Sequence, residues 1–359
     1  MSFSKLDDFL TDLVHKRRIP GFVCWVGNLS TSFYERAYGF AQLKPKRIDM
    51  SKNTVFDLAS LTKPLATALL IMLMHEKGIL DIDHTLEQYL PVFKGKPNAR
   101  KSLRQLLTHT GGMPAWYPTY LISETQRLEF LSGLSIIDEE PVYSCLGYIL
   151  LANIVENITG MGFNRYFEDN ITSKLGLHTI GFGPVHDQET VAATELGSKH
   201  ERAMARRHGD ISTIKWRPHL IQGEVHDGNA YYSYGGVAGN AGLFSNLTDL
   251  VAITRAYMSG GLLNPATLHM MIYERAGSRE RRNLGWCADP YPDLLSPESF
   301  GHTGFTGTML TIDPRTNLIV ILLTNAIHPK VRLGLMNPIR RTVIQLISDT
   351  LSVNRKLGS

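Results

Sequence analysis

The sequence has few cysteines, little excess charge and no long apolar run. Its three cysteines among 359 residues cannot all pair, and they are too few for a disulfide-stapled scaffold. Lysine and arginine number 37 against 33 aspartates and glutamates, so the chain lacks the dense basic surface of a nucleic-acid-binding protein. A hydrophobic fraction of 43% nevertheless supports a large core, which excludes a disordered chain.

The amino-terminal segment lacks the features of a secretory signal. Asp7, Asp8 and Asp12 interrupt its apolar residues, whereas a signal needs an unbroken apolar stretch of about 7–15 residues. The uncharged run at 65–74 is shorter than the roughly 20 residues of a membrane helix. We therefore expect no membrane partner and a cytoplasmic location, or a periplasmic or extracellular one if a leader has been removed.

Strand-like segments lie at both ends of the chain, with helical patterns between them. Residues 21–27 and 32–40 predict one hairpin, and residues 306–312 and 318–324 predict a second around a turn at 313–317. Apolar residues at helical spacing predict helices elsewhere, at about 6–14, 64–76, 102–108, 146–158, 249–259 and 333–351. This pattern predicts one sheet built from both termini, with a helical insertion.

The first candidate for catalytic chemistry is the segment Ser60-Leu61-Thr62-Lys63 at the start of a predicted helix. A spacing of three places Ser60 and Lys63 on one helical face. A serine hydroxyl needs a neighbouring base to become a nucleophile, and lysine can act as that base where burial lowers its pKa. Pro64 is accepted in the first turn, where the N–H of Ser60 stays available to an oxyanion. Ser-x-x-Lys alone is also an ordinary helix start.

Two further segments carry compatible chemistry. Tyr143, followed by Ser144 and Cys145, precedes a predicted helix, and a tyrosine hydroxyl beside a lysine can relay a proton. Residues 301–307 read Gly-His-Thr-Gly-Phe-Thr-Gly, and such glycines let backbone approach a substrate so that an edge-strand N–H completes an oxyanion hole. Taken singly, the first segment is equally typical of a tyrosine packed at a helix entrance. The second is equally typical of a glycine-rich entry into a strand.

The order Ser-x-x-Lys, Tyr-Ser-x, His-Thr-Gly is far more specific than any one motif. With these motifs in this order, the sequence resembles the serine β-lactamase and penicillin-binding family, and most of all its branch of class C β-lactamases, D,D-peptidases and related esterases. Residues 56–63, 106–112, 235–245 and 300–325 are similar to segments of that family as well. The resemblance therefore spans most of the chain.

The resemblance implies an α+β fold, with an antiparallel sheet flanked by helices, an all-helical region and the active site in the cleft between them. Residues 1–359 would form a single catalytic unit, in which 1–58 and 283–359 make the sheet region and 59–282 the mainly helical region. No metal or organic cofactor is implied. The substrate would be a small-molecule or peptide-like acyl compound.

The resemblance also implies roles for individual residues. Ser60 would attack an ester, amide or β-lactam carbonyl to form an acyl-enzyme, Lys63 and Tyr143 would move the protons, and water would release the acyl group. The N–H groups of Ser60 and Phe305 would hold the oxyanion. The residues expected to contact the substrate, including its carboxylate, are Cys145, His302, Thr303 and Gly304.

Two positions depart from the family's pattern. Cys145 stands where the family usually carries Asn or Asp, and a thiol is a weak donor and a poor acceptor, so we expect inefficient β-lactam turnover. His302 stands in place of Lys. Because histidine is mostly uncharged at neutral pH, carboxylate binding is expected to be weaker and more dependent on pH.

Alternatives to a serine mechanism have less support. His109 and His226 lack partners at metal-ligand spacing, and the chain has neither a Gly-x-Ser-x-Gly nor a His-Glu-x-x-His motif. Cys145 could act as a nucleophile but has no obvious adjacent base, and it is also the feature that would suit a non-catalytic ligand-binding module. Whether Lys63 or Tyr143 is the general base stays open. Ester, D,D-peptide and β-lactam substrates share acyl-serine chemistry, so the motifs do not separate them.

Overall fold

In a computed structural model of the protein, residues 2–135, 141–276 and 281–357 are described. The strands in these ranges are β1 Gly21–Gly27, β2 Ser32–Gln42, β3 Ile48–Asp49, β4 Phe56–Asp57, β5 Gly181–Phe182, β6 Leu243–Ser245, β7 Cys287–Ala288, β8 Phe300–Thr303, β9 Met309–Asp313 and β10 Leu318–Thr324. Seven of them form an antiparallel sheet in the order β3-β2-β1-β10-β9-β8-β7, and a small second sheet has the order β4-β6-β5. The large sheet therefore joins the two ends of the chain, as expected for an α+β fold.

The central pair of the large sheet, β1 and β10, is buried along its whole length. Side chains of successive residues point to opposite faces of a strand. Accordingly, Val23 and Trp25 pack into the larger apolar cluster on the helical side, while Phe22, Cys24 and Val26 pack into a second cluster. Both faces of the sheet are thus covered, which explains why β10 is a continuous run of Val, Ile and Leu.

Helices supply the cover on both faces of the sheet. Within the described ranges the α-helices are α1 Ser4–His15, α2 Leu69–Glu76, α3 Leu86–Tyr89, α4 Leu103–Leu107, α5 Arg127–Ser132, α6 Cys145–Thr159, α7 Phe163–Phe167, α8 Ser173–Leu175, α9 Lys199–Ala205, α10 Leu247–Met258, α11 Pro265–Tyr273 and α12 Met336–Leu357. Residues of α1 and α12 pack together in the second cluster, and most other helices pack in the larger one. No single described helix is long and apolar enough to cross a membrane, although Cys145–Thr159 with Phe163–Leu175, bent by 80°, passes as a pair by length and composition.

The predicted segments are confirmed where the hydrophobic pattern is strong. The strands predicted at 21–27 and 318–324 have those bounds, and the predicted helices agree within a few residues. The strand predicted at 306–312 begins only at Met309, because Gly304 N–H donates to Thr308 O (2.9 Å) and closes the turn between β8 and β9. The short strands of the small sheet carry too few residues to produce a readable pattern. The division of the chain into two regions stays a prediction.

Candidate active site

The predicted site residues lie together at one pocket. Ser60, Tyr143, His302, Thr303, Gly304 and Phe305 all line a cavity of about 630 Å³. Lys63 is fully buried behind Ser60, and Cys145 lies against Lys63. Ser60 and residues 302–305 are more than 200 residues apart in sequence. They meet because β8 passes beside the start of the Ser60 helix. Within the described ranges, no group of three or more His, Cys, Asp or Glu side chains could hold a metal ion.

Ser60 lies in a tight turn that is strained at the residue before it. The turn is a 3₁₀ segment, Ala59–Leu61, and Ala59 has φ +48°, a left-handed conformation that alanine rarely adopts. The Ala59 N–H donates to Asp57 Oδ1 at 2.8 Å, and the other carboxylate oxygen accepts the His226 N–H at 2.7 Å. The buried Asp57 carboxylate thus holds the turn in the conformation that exposes Ser60 to the pocket.

The turn between β8 and β9 is fastened to the nucleophile segment by two hydroxyls. Thr306 Oγ1 donates to Asp57 O at 2.7 Å, and Thr308 Oγ1 donates to Leu58 O at 3.1 Å. Gly304 allows this approach, since a Cβ at that position would lie only 2.5 Å from Leu58 O. From the sequence, Gly304 is predicted to contact the substrate. The structure adds a packing reason for a glycine at this position.

The Lys63 ammonium is surrounded by hydrogen-bond acceptors. Its Nζ donates to Ser60 Oγ at 3.0 Å, to Asn240 O at 3.1 Å and to Cys145 Sγ at 3.5 Å. Burial lowers the pKa of Lys63, whereas attraction to the ionised forms of Cys145 and Tyr143, and a hydrogen bond to Tyr143, raise it, so that the net shift of the Lys63 pKa is upward from 10.5. Lys63 is therefore an ammonium at neutral pH. The lowered pKa that a lysine base requires is not found here.

Tyr143 lies over this ammonium. Lys63 Nζ is 4.9 Å from the centre of the Tyr143 ring, and the Arg282 guanidinium carbon is 5.2 Å from it. On its other side the ring packs against His109, with 4.5 Å between ring centres. Tyr143 is thus held by two cations and an imidazole at the pocket that Ser60 also lines, and its hydroxyl shares Lys63 with Ser60 Oγ as a hydrogen-bond partner.

His109 positions the Tyr143 segment. Its Nδ1 accepts the N–H of Ser144 at 3.0 Å, and its carbonyl accepts the N–H of Val142 at 3.1 Å. His109 itself has φ +58°. The turn at 106–112, which the sequence shares with the family, therefore supports the second motif directly.

Acid should destabilise the protein through this histidine. Burial, followed by the nearby charges of Arg282 and Lys63, lowers the pKa of His109 well below 6.5. An unfolded histidine gains a proton near pH 6.5 and the folded one does not, so stability is complete above that pH and falls below it. Asparagine at 109 would accept the Ser144 N–H and tolerate the left-handed backbone. For His109→Asn we expect the loss of unfolding free energy between about pH 7.5 and about pH 5.5 to shrink by about 1 kcal/mol.

Denaturant unfolding at the two pH values measures this change. His178 is exposed, so His178→Asn should leave the pH dependence as it is in the wild type. Equal effects of the two substitutions would contradict the role assigned to the buried His109.

His302 is neutral at the wall of the pocket. Burial lowers its pKa well below 6.5, with Lys63 and Arg282 acting in the same direction. Its Nδ1 lies 2.9 Å from Thr303 O, and because a carbonyl only accepts, Nδ1 carries the hydrogen. Nε2 then carries a buried lone pair that has no partner in the described part of the chain. Because His302 carries no positive charge in this form, Thr303 and neighbouring groups must bind the expected carboxylate of the substrate.

The two N–H groups expected in the oxyanion hole belong to residues that line the pocket. Among the described residues, neither Ser60 N–H nor Phe305 N–H donates to a protein acceptor, so both are available to a ligand. The Phe305 side chain is 43% exposed. Its ring stacks on His200, at 5.3 Å between centres, and on His226, at 5.7 Å. This packing holds Phe305 beside the nucleophile.

Cys145 is a thiol at neutral pH. Burial raises the pKa of Cys145, and the opposing effect of Lys63 is smaller. A thiol that stays protonated beside an ammonium is a poor nucleophile, which argues against the cysteine alternative. Cys145 therefore occupies the position at which the family usually has Asn or Asp, but its thiol is a weaker hydrogen-bonding group than either side chain.

Several residues that build this site were not identified from the sequence. They are the positioning residues Asp57, His109, Asn240, Thr306 and Thr308. All five lie inside segments that resemble the family, but a single polar residue there has no distinctive pattern. Most of their contacts span long sequence separations, so only the folded chain reveals them.

Comparison with known proteins gives the same family. The Beta-lactamase family model matches residues 6–342. An Escherichia coli K12 protein, named provisionally as a D-alanyl-D-alanine carboxypeptidase, is 33% identical across 85% of this chain and 78% of its own length. A Salmonella typhimurium LT2 protein of the same name is 31% identical across 85% of this chain and 77% of its own.

Solved structures share the fold at lower identity. EstCE1, a hydrolase with promiscuous acyltransferase activity, has a TM-score of 0.73 and 21% identity, with 96% of this chain and 98% of that chain covered. A class C β-lactamase from Rhodobacter sphaeroides has a TM-score of 0.73 and 19% identity, with 96% and 99% covered. The chain belongs to the beta-lactamase family and is a serine hydrolase of that family.

Proposed function

We propose that this serine hydrolase is a D,D-carboxypeptidase, which cleaves the terminal amide of a D-alanyl-D-alanine peptide through an acyl-enzyme at Ser60. The observation that carries the proposal is the 3.0 Å hydrogen bond from the buried Lys63 ammonium to Ser60 Oγ, at the floor of the pocket. The names of relatives at 31–33% identity support the choice of substrate.

The proposed reaction uses Tyr143 as the general base, because Lys63 is already protonated. Ser60 Oγ bonds to the substrate carbonyl carbon as its proton passes to the phenolate form of Tyr143, which the neighbouring Lys63 ammonium favours, and the oxyanion accepts hydrogen bonds from the N–H groups of Ser60 and Phe305. Tyr143 then returns the proton to the leaving amine as the C–N bond breaks. Water, losing its proton by the same route, releases the acyl group and restores Ser60.

A paired mass-spectrometry and product assay tests the proposal. The protein is incubated with benzylpenicillin for intact-mass and peptide mapping, and separately with an acetylated peptide that ends in D-Ala-D-Ala for D-alanine release. A penicilloyl adduct on Ser60 together with D-alanine release supports the proposal. An adduct on Cys145, or hydrolysis of simple esters without any D-alanine release, contradicts it.

An esterase is the second candidate, and Cys145 is the observation that favours it. Peptide substrates carry amide N–H and C=O groups that a polar side chain at this position would bind, while an ester needs less of that recognition. For Cys145→Asn we expect the ratio of kcat/KM for the D-Ala-D-Ala peptide to kcat/KM for p-nitrophenyl acetate to rise about tenfold. Steady-state kinetics on both substrates measures the ratio.

The control for this prediction is Cys24→Ser, since Cys24 lies in β1 within the cluster that contains α1 and α12, away from the pocket. Its ratio should equal that of the wild type. A fall in the ratio for Cys145→Asn would show that the thiol already serves amide substrates, and the argument for an esterase would fail.

A further inference from the structure

A second cavity, of about 1020 Å³, lies beside the active-site pocket. Its walls come from the end of α1, from β2, from residues 43–50 and from residues 328–332. We call it the basic groove, after the cationic side chains that line it, which are Arg17, Lys44, Arg47, Lys330 and Arg332. One carboxylate, Asp49, faces the same cavity. Its volume suits a ligand of substantial size.

One stretch of chain separates the basic groove from the active-site pocket. Ile327 and Val331 line the pocket, whereas His328 and Lys330 line the groove, so neighbouring residues face opposite cavities. Arg332 lines both. The two cavities are therefore adjacent, and the exposed Arg332 side chain marks the place where a ligand can pass from one to the other.

This dividing stretch is firmly held. His328 Nε2 accepts the Leu43 N–H at 2.9 Å, and Nδ1 of the same ring donates to Thr194 O at 2.8 Å. Arg332 donates to Arg18 O at 2.6 Å, which ties the stretch to the end of α1. A ligand that reaches both cavities therefore crosses over Arg332, and the wall between them need not open.

The charges of the groove are not neutralised by neighbouring side chains. Within the described ranges, no carboxylate lies within ion-pair distance of Lys44, Arg47 or Lys330. Cations just outside the groove are paired instead: Lys46 lies 2.7 Å from Glu189, and Lys52 lies 2.8 Å from Glu35. Positive charge is thus left unpaired along the groove and compensated next to it.

The lining of the active-site pocket is also positively charged. Its charged lining among the described residues is entirely arginine, namely Arg282, Arg332, Arg340 and Arg341. A guanidinium binds a carboxylate through two parallel hydrogen bonds, and the unpaired cations of the groove, Lys44, Arg47 and Lys330, attract anionic ligands. Apolar side chains such as Val14, Ile19 and Met50 also line the groove and can contact the methylene groups of a bound chain.

We propose that the basic groove binds the carboxylate-bearing length of an acidic peptide whose scissile carbonyl lies at Ser60. The inference rests on the proposed function for the reacting bond and extends the substrate from a short acyl compound to an anionic chain. It makes Lys44, Arg47 and Lys330 determinants of specificity that act far from the reacting atoms.

Binding of two labelled peptides tests this inference without requiring turnover. Fluorescein-labelled hexaglutamyl-D-Ala-D-Ala and its hexaglutaminyl counterpart are titrated into the Ser60→Ala protein, with anisotropy giving Kd. At about 0.02 M salt we expect the glutamyl peptide to bind about tenfold more tightly, and at about 0.5 M salt the difference should vanish. Lys44→Glu/Arg47→Glu should remove the preference.

A charge-matched control separates local binding from the overall charge of the protein. Lys77→Glu/Lys174→Glu changes the net charge equally, and neither residue lines the groove or the pocket. It should keep the preference, and thermal unfolding verifies that both variants are folded. Equal binding of the two peptides, or equal weakening by both double variants, would overturn the proposal. Displacement by inorganic polyphosphate at lower concentration than by hexaglutamate would overturn the carboxylate assignment.

Failure here is distinguishable from failure of the proposed function. Release of D-alanine and the penicilloyl adduct are measured on the wild-type protein with a short acetylated peptide and with benzylpenicillin, neither of which carries the polyglutamyl segment. If these succeed while the groove shows no preference, the carboxypeptidase proposal stands and the acidic-peptide proposal falls.

Discussion

Replacing Ser60 by alanine is expected to lower kcat by about four orders of magnitude or more, because no other nucleophile takes its place. Cys145 Sγ accepts a hydrogen bond from Lys63, and burial raises the pKa of the thiol, so that it stays protonated at neutral pH. The pocket and its N–H groups survive the substitution, so substrate binding should persist while covalent chemistry stops. Steady-state hydrolysis of p-nitrophenyl acetate and of the D-Ala-D-Ala peptide measures the loss.

The matching control is Ser259→Ala, which removes an exposed hydroxyl after α10. It should retain full activity and the wild-type melting temperature. If Ser60→Ala hydrolysed the ester at more than about a hundredth of the wild-type rate, the serine mechanism would be wrong. An unchanged melting temperature in Ser60→Ala would show that the loss is chemical.

The second large effect is expected for Lys63→Met, which should lower kcat by about a thousandfold. The methionine fills similar space but cannot donate to Ser60 Oγ or place positive charge beside Tyr143. Because a buried ammonium is costly to desolvate, an apolar side chain of similar volume should leave the melting temperature unchanged or raise it. Measurement of kcat together with thermal unfolding separates the catalytic effect from a folding defect.

Lys77→Met is the control, since Lys77 is exposed at the end of α2, the helix that continues from the Lys63 segment. Its activity should equal that of the wild type. The raised pKa of Lys63 also predicts that the ammonium, compared with the neutral amine, favours the folded state throughout the neutral range, and that this preference is lost only as the pH rises above 10.5. More than about a tenth of wild-type activity in Lys63→Met would contradict the role assigned to the ammonium.

Hydrophobic patterns along the chain predict long elements, whereas hydrogen bonds in the folded chain decide where turns and short strands lie. Hydrophobic runs such as 318–324 predict a strand because every residue of β10 is buried between two helical layers. Residues 304–308 misled the prediction because a tight turn and a strand entry have similar composition, and the hydrogen bond from Gly304 to Thr308 decides between them. The two-residue strands of the small sheet, such as β4, have no readable period.

For the site, the motifs led to the reacting residues but not to their protonation states. Ser60, Lys63 and Tyr143 follow from the order of short motifs, which the sequence displays directly. Lys63 was expected to act as a base only if burial lowered its pKa. The fold raises that pKa, because Cys145 and Tyr143 lie beside the ammonium. A spacing of three residues carries no information about such neighbours.

By itself, the sequence determined the family, the α+β class and the candidate nucleophile, because these depend on residue order and on local periodicity. Only the tertiary structure decided that Asp57 holds the Ser60 turn, that Nδ1 of His302 carries the hydrogen, and that a basic groove adjoins the pocket. Each of these depends on distances between segments that are far apart in the chain. Such distances, and the desolvation that accompanies burial, exist only after the two ends of the chain have met in one sheet.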